Sequence, residues 1–209
     1  MLLLVAICTT LGGVLLAVGF SRPDQQPAGE GARSPARSTS EAPAPAPLGR
    51  DVTVTQRQAL TPARLKIPAI DVTTPLVRLG LMPDRTVEVP RNPDRAGWFQ
   101  PGPVPGQRGS AVILGHVDSV RGPAVFARLQ ELQLGDAVTI ERADGSTVRF
   151  VVSGTMLYEN ADFPADRVYA AQDGRRLNLV TCGGTYDSTR GGYQSNLVVY
   201  TRFAPARVG

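Results

Sequence analysis

The chain has 209 residues, 42% hydrophobic and 19% charged, a balance that suits a folded core and excludes a wholly disordered protein. The net charge of +4 and the pI near 9.5 come from scattered arginines, with Lys66 the only lysine. No basic run interleaves with aromatic residues, so nucleic acid is not an expected partner.

Residues 1–20 contain no charged side chain. At about 1.5 Å per residue as a helix they span roughly the 30 Å hydrocarbon core of a bilayer. The basic start and small-x-small cleavage site of a signal peptide are both poorly formed, so an N-terminal membrane anchor is preferred over a cleaved signal segment. Cys8 in that stretch reads as lipid-facing filler. Residues 21–50 are rich in Pro, Ala, Ser, Arg and Gly, including Ala42-Pro43-Ala44-Pro45-Ala46-Pro47. Such a segment buries too little apolar surface to fold, and it reads as a disordered stalk.

From residue 51 to 209 the composition is that of a globular domain. Val52-Thr53-Val54-Thr55, Arg64-Leu65-Lys66-Ile67-Pro68 and Thr86-Val87-Glu88-Val89 read as strands. Residues 123–129 are the best candidate for a short helix, with Pro123 in its first turn. Residues 136–142 and 147–152 flank Ala143-Asp144-Gly145-Ser146, which is a hairpin signal. Residues 160–175 form a longer polar connection with a helical turn, and 196–201 close the chain as a strand. Many short strands, frequent turns and little helix predict a mostly β fold, a closed or nearly closed β-barrel.

Leu177-Asn178-Leu179-Val180-Thr181-Cys182-Gly183-Gly184 is the stretch the chemistry points to. It reads as a buried strand ending in a cysteine, with paired glycines that turn the backbone and leave the sulfur approachable. The single histidine, His116, follows the apolar run Ala111-Val112-Ile113-Leu114-Gly115 in the same layout. A thiolate nucleophile needs a base or cation beside it, and His116 is the histidine on offer. Each residue alone has a plainer reading, as a buried small hydrophobe and a structural side chain. A disulfide between Cys8 and Cys182 would join a membrane segment to a folded core, so no bridge between them is expected. One histidine and one cysteine fall short of a zinc set, and no phosphate loop or cofactor fingerprint is present, so neither metal nor cofactor is expected.

Over residues 62–203 the chain resembles the sortases, membrane-anchored cysteine transpeptidases of Gram-positive bacteria, and most of all the actinobacterial class F or class E group. The resemblance rests on Leu65-Lys66-Ile67-Pro68-Ala69-Ile70, Gly97-Trp98-Phe99, Pro105-Gly106-Gln107-Arg108-Gly109-Ser110, Leu114-Gly115-His116-Val117-Asp118, Val125-Phe126, Leu134-Gly135-Asp136 and Leu179-Val180-Thr181-Cys182-Gly183-Gly184. It implies that Cys182 attacks the Thr–Gly bond of an LPXTG-like sorting signal and holds the released surface protein as a thioacyl enzyme. An amine acceptor, a cell-wall precursor or a pilin, then resolves it, with His116 exchanging protons. The implied location is the cell membrane, with the catalytic domain outside. Thr181 beside the nucleophile would help shape the site or be an ordinary strand residue.

The family arginine that stabilises the oxyanion lies in a Tyr-Arg-x-Asn-like segment on the last strand. Here that segment is Tyr193-Gln194-Ser195-Asn196, so Gln194 stands where arginine is expected. Arg190, on a glycine-flanked loop, is the alternative source of charge. Asp118 would orient the imidazole, shape a loop, or be a solvated carboxylate, and Asp187 has the same choices. Trp98 is expected in core packing or beside a peptide groove. The rival to an enzyme is a sortase-fold surface module that only binds peptide because charge is lost at Gln194; a hydrolytic thiol protease would share the first half-reaction.

Overall fold

A computed structural model describes residues 58–171 and 173–205. The expected anchor (1–20), stalk (21–50), Cys8 and the strand at 52–55 lie outside the described residues. Among the described residues no helix is long and apolar enough to cross a membrane.

The expected mostly β barrel is what forms. Its strands are β1 (Pro62–Ile67), β2 (Val72–Leu79), β3 (Ala96–Phe99), β4 (Gly109–Leu114), β7 (Ala137–Arg142), β8 (Thr147–Glu159), β9 (Arg175–Asp187) and β10 (Gly192–Phe203), with the small pair β5 (Asp118–Ser119) and β6 (Gly122–Pro123) beside them. The barrel order is β1-β2-β3-β4-β9-β10-β8-β7, closed by antiparallel pairing of β7 with β1. Closure removes the unpaired edges that an open sheet would expose. β7 and β8 form the expected hairpin, with Glu141 opposite Thr147.

The central strands are covered on both sides, which is why they read as continuous apolar runs. Leu177 and Leu179 of β9 point into the barrel with Leu65, Ile113, Phe150 and Val199. Val180, Leu114, Val112 and Val198 point outward, where Phe163, Val168 and Tyr169 of the β8–β9 connection cover them. Asn178, fully buried in that outward set, donates through Nδ2 to the Val168 carbonyl at 2.7 Å and pins the cover down.

Two expectations about local structure are corrected. Residues 123–129 do not form a helix; the helical element is a 3-10 turn at Leu129–Glu131. Phe126, Leu129 and Leu132 are buried at a spacing of three, and Ala127, Leu129 and Leu132 each donate three residues back. A period of three is that of the 3-10 form, and Pro123 is spent in β6. Residues 86–89 pair only through an isolated bridge between Leu81 and Val87. There the Glu88 carboxylate accepts from the Gly80 amide at 2.6 Å, Asp84 accepts from the Thr86 amide and hydroxyl, and the segment runs into Pro90.

The polar connection does carry helical turns, at Asn160–Asp162 and Asp166–Ala170.

Candidate active site

Strand register brings the two expected reactive residues together. β4 and β9 run parallel, with Leu114 level with Val180, and the Gly115 amide continues the ladder by donating to the Val180 carbonyl at 3.2 Å. His116 lies two residues past Leu114, and Cys182 two past Val180. Side chains two apart on a strand share a face, so Cys182 belongs with Val180 to the outward face of β9, and His116 follows the end of the neighbouring strand β4. Gly115 has to be glycine: a Cβ there would meet a Phe126 ring carbon at 2.6 Å and Val125 Cγ1 at 2.7 Å.

His116 is half-buried, and its Nε2 lies 2.7 Å from the Pro90 carbonyl oxygen. A carbonyl only accepts, so Nε2 carries the proton of this bond. In the neutral ring Nδ1 keeps the lone pair. The His116 carbonyl in turn accepts from the Phe126 amide at 2.9 Å.

The strand does not end at Cys182, as the glycines had implied. β9 continues to Asp187, and Cys182 pairs with Asn196 of β10. The glycines build a β-bulge instead: Gly183 faces Ser195 and Tyr186 faces Tyr193, so Gln194 alone opposes Gly184 and Thr185. Gly184 has φ +73°, the left-handed conformation that glycine supplies at a bulge of this kind. The bulge re-aims the ladder one residue past Cys182.

Cys182 is 8% exposed, and it is disulfide-bonded in the structure, against the expectation of no bridge; its partner lies outside the described residues. Thiol chemistry here starts from the reduced chain, because the thiolate is the nucleophile.

The remaining site residues divide by position. Thr181 is 1% exposed and pairs with Leu197, so it sits on the barrel-interior side of β9, behind Cys182. Its Oγ1 is buried with no hydrogen-bond partner among the described residues. Gln194 is half-buried in the bulge, and its Nε2 donates to the Gly192 carbonyl at 2.6 Å. That bond uses one of the two amide protons and leaves the other for a second acceptor. Arg190 is exposed at the hairpin tip, in the 3-10 turn Ser188–Arg190. From Cys182 to Asp187 the strand covers about 16 Å at about 3.3 Å per residue, more than one arginine side chain spans. Gln194 therefore lies two residues from Asn196, the ladder partner of Cys182, and Arg190 lies at the hairpin tip.

Asp187 caps that turn, accepting from the Thr189 amide at 2.9 Å and the Thr189 hydroxyl at 2.7 Å. Those bonds hold its carboxyl below the usual range. Asp118 is exposed and accepts from the Tyr193 hydroxyl at 2.5 Å, so it shapes the segment after His116. Trp98 is core packing: it is 3% exposed, and Nε1 donates to the Pro103 carbonyl at 3.2 Å.

Sequence reasoning passed over Asn196 and Asn160. Asn196 is 1% exposed; its Nδ2 donates to Asn160 Oδ1 at 2.8 Å, and Asn160 Nδ2 donates to the Tyr193 carbonyl at 2.8 Å. The signal was present: asparagine is depleted in strands, so one heading the run Leu197-Val198-Val199-Tyr200 asks for a polar partner.

The family model of the sortase domain matches residues 65–204. This chain belongs to the sortase family. Solved sortases share its fold. A lid mutant of sortase A from Corynebacterium diphtheriae is 18% identical with a TM-score of 0.55, over 71% of this chain and 72% of that one. Sortase C-1 from Actinomyces oris is 21% identical with a TM-score of 0.54, over 69% and 72%. Sortase C from Streptococcus pneumoniae is 21% identical with a TM-score of 0.52, over 70% and 67%. A search of curated proteins gave no match.

Proposed function

We propose that this sortase is a surface-displayed cysteine transpeptidase of the actinobacterial class F or class E type. The observation that carries the reading is the shared register of β4 and β9, with His116 two residues past Leu114 and Cys182 two past its partner Val180. In the proposed reaction the reduced Cys182 sulfur attacks the Thr–Gly carbonyl carbon of an LPXTG-like sorting signal. The thiol proton passes to His116 as the C–S bond forms, the C–N bond breaks, and the leaving amine takes that proton from His116. An acceptor amine, from a cell-wall precursor or a pilin, then gives a proton to His116, attacks the thioester and releases the thiolate. Because Nε2 is held by Pro90, Nδ1 is the nitrogen assigned to this proton exchange.

Gln194 is the residue we assign to the developing oxyanion, through its remaining amide proton. It brings no positive charge, so its contribution is smaller than a guanidinium would make. The N-terminal segment would anchor the enzyme in the cell membrane, with the barrel outside.

The test uses the reduced full chain with an LPXTG-type peptide and a glycine-based amine, read by intact and product mass. A thioacyl adduct on Cys182, an amide product, and neither with Cys182→Ala is the expected result. Adduct and free acid without amide product, whatever amine is supplied, would make the protein a thiol hydrolase. No adduct across a panel of related pentapeptides would favour a surface module that only binds peptide.

A further inference from the structure

Two hydrogen bonds join the segment that carries His116 to the β9–β10 hairpin that carries Cys182. At one end the Gly115 amide donates to the Val180 carbonyl. At the other the Tyr193 hydroxyl donates to Asp118 Oδ2 at 2.5 Å, between residues 75 apart in sequence. A separate bond holds Tyr193 itself, whose carbonyl accepts from Asn160 Nδ2 of the β8–β9 connection at 2.8 Å. Its ring also packs edge-on against Tyr186, centroids 5.2 Å apart at 74°. Tyr186 is its ladder partner on β9, so the hydroxyl is delivered from a strand pair rather than from a loop. Asp118 sits on the two-residue β5, which has only β6 as a ladder partner. His116 therefore lies between two attachments, both made to the hairpin of the thiol.

We propose that Tyr193 is a positioning residue: its hydroxyl, bound to Asp118, is a strut that sets His116 against Cys182. This rests on the transpeptidase reading for its effect on turnover, though not for its effect on the imidazole. Proton transfer depends steeply on distance, and a displacement near 1 Å can cost up to about a hundredfold. The strut acts on the placement of the base, not on peptide binding. Its loss lowers kcat and leaves KM in place. The same bond accounts for the high titration of the phenol, which the Asp118 carboxylate pushes up to about 12.

The chain has a single histidine, so the His116 imidazole signals can be read without assignment by mutation. The experiment compares the reduced full chain with Tyr193→Phe, Asp118→Ala and the double variant. Tyr193→Phe removes only the hydroxyl oxygen and keeps the ring against Tyr186. The expected result is a fall in kcat of about tenfold with KM within about twofold, shifted or broadened His116 resonances, and a melting temperature lowered by no more than about 4 °C, the loss of one exposed hydrogen bond. The double variant should lose no more than the worse single one, because both remove the same bond. Wild-type kcat and an unaltered His116 spectrum in Tyr193→Phe overturn the proposal, as do losses that multiply in the double variant. If Tyr193→Phe does not fold, Asp118→Ala, which removes the acceptor, decides by the same readouts. If the wild type makes no product at all, the transpeptidase reading fails. The imidazole spectrum then still decides the strut: unaltered overturns it, shifted supports it.

Discussion

Asn196 stands directly across the β9–β10 ladder from Cys182, 1% exposed, with Nδ2 bonded to Asn160 and Oδ1 buried without a partner among the described residues. The strand face that presents the thiol is thus floored by an amide held from the β8–β9 connection. Asn196→Ala removes the partner of Asn160 Oδ1 at the head of that connection. A loss of about 0.5–1.5 kcal/mol is expected, the net worth of one hydrogen bond, because Asn160 is exposed and water takes the place of the lost donor. Denaturant unfolding with an unchanged m-value checks it; a midpoint equal to wild type would contradict it.

Gln194 and Arg190 are separated by one pair of variants. Gln194→Ala should lower kcat about a hundredfold, as removal of one oxyanion donor does. Arg190→Ala should stay within about twofold of wild type, since Arg190 lies about 16 Å of strand beyond Cys182. Steady-state kinetics on an LPXTG-type peptide reads both. Abolished turnover in Arg190→Ala with the fold intact would reverse the assignment.

Thr181→Val tests which side of β9 matters. The residue faces the barrel interior opposite Leu197, and its hydroxyl has no partner among the described residues. An isosteric apolar replacement of an unsatisfied buried hydroxyl is neutral or stabilising. The melting temperature should hold or rise, and kcat should stay within about twofold. A drop of both would mean that the hydroxyl serves the site.

Tyr193 should titrate near 12, because donating to the Asp118 carboxylate favours the neutral phenol. The folded-state value lies above that of the unfolded chain. Its stabilising contribution is therefore complete below about pH 10 and is lost as pH rises towards 12. Ultraviolet difference titration of wild type against Asp118→Asn reads the shift. The variant should bring this phenol down towards the ordinary range; no change would rule out the bond as the cause.

Gly184→Ala should damage the site through the backbone. Its φ of +73° is strained for alanine by about 1–2 kcal/mol. The added Cβ would also sit 2.7 Å from Ser195 Oγ. Lower stability together with lower kcat is expected, since relief of the clash moves β10 opposite Cys182. Full activity at reduced stability would show that the bulge only shapes the hairpin.

The fold class was legible because strand physics is local: alternating and continuous apolar runs, with turns between them, are written residue by residue. The same locality put His116 and Cys182 after apolar strands. It failed where a period or a partner mattered. Residues 123–129 looked helical until burial of Phe126, Leu129 and Leu132 imposed a period of three. The paired glycines looked like a turn because sequence shows glycine's freedom but not which partner strand continues past it. Neither the Tyr193–Asp118 bond nor the Cys182–Asn196 pairing has a local signature, because each joins residues that only the ladder brings level.

By itself, then, the sequence determined a mostly β sortase barrel and the two residue types that carry thiol chemistry. The tertiary structure decided which of the candidates share a face, because strand register is a property of pairs of strands. Through that register Asn196 comes level with Cys182, Gln194 falls in the bulge beyond it and Arg190 goes to the hairpin tip, while Thr181 turns to the barrel interior.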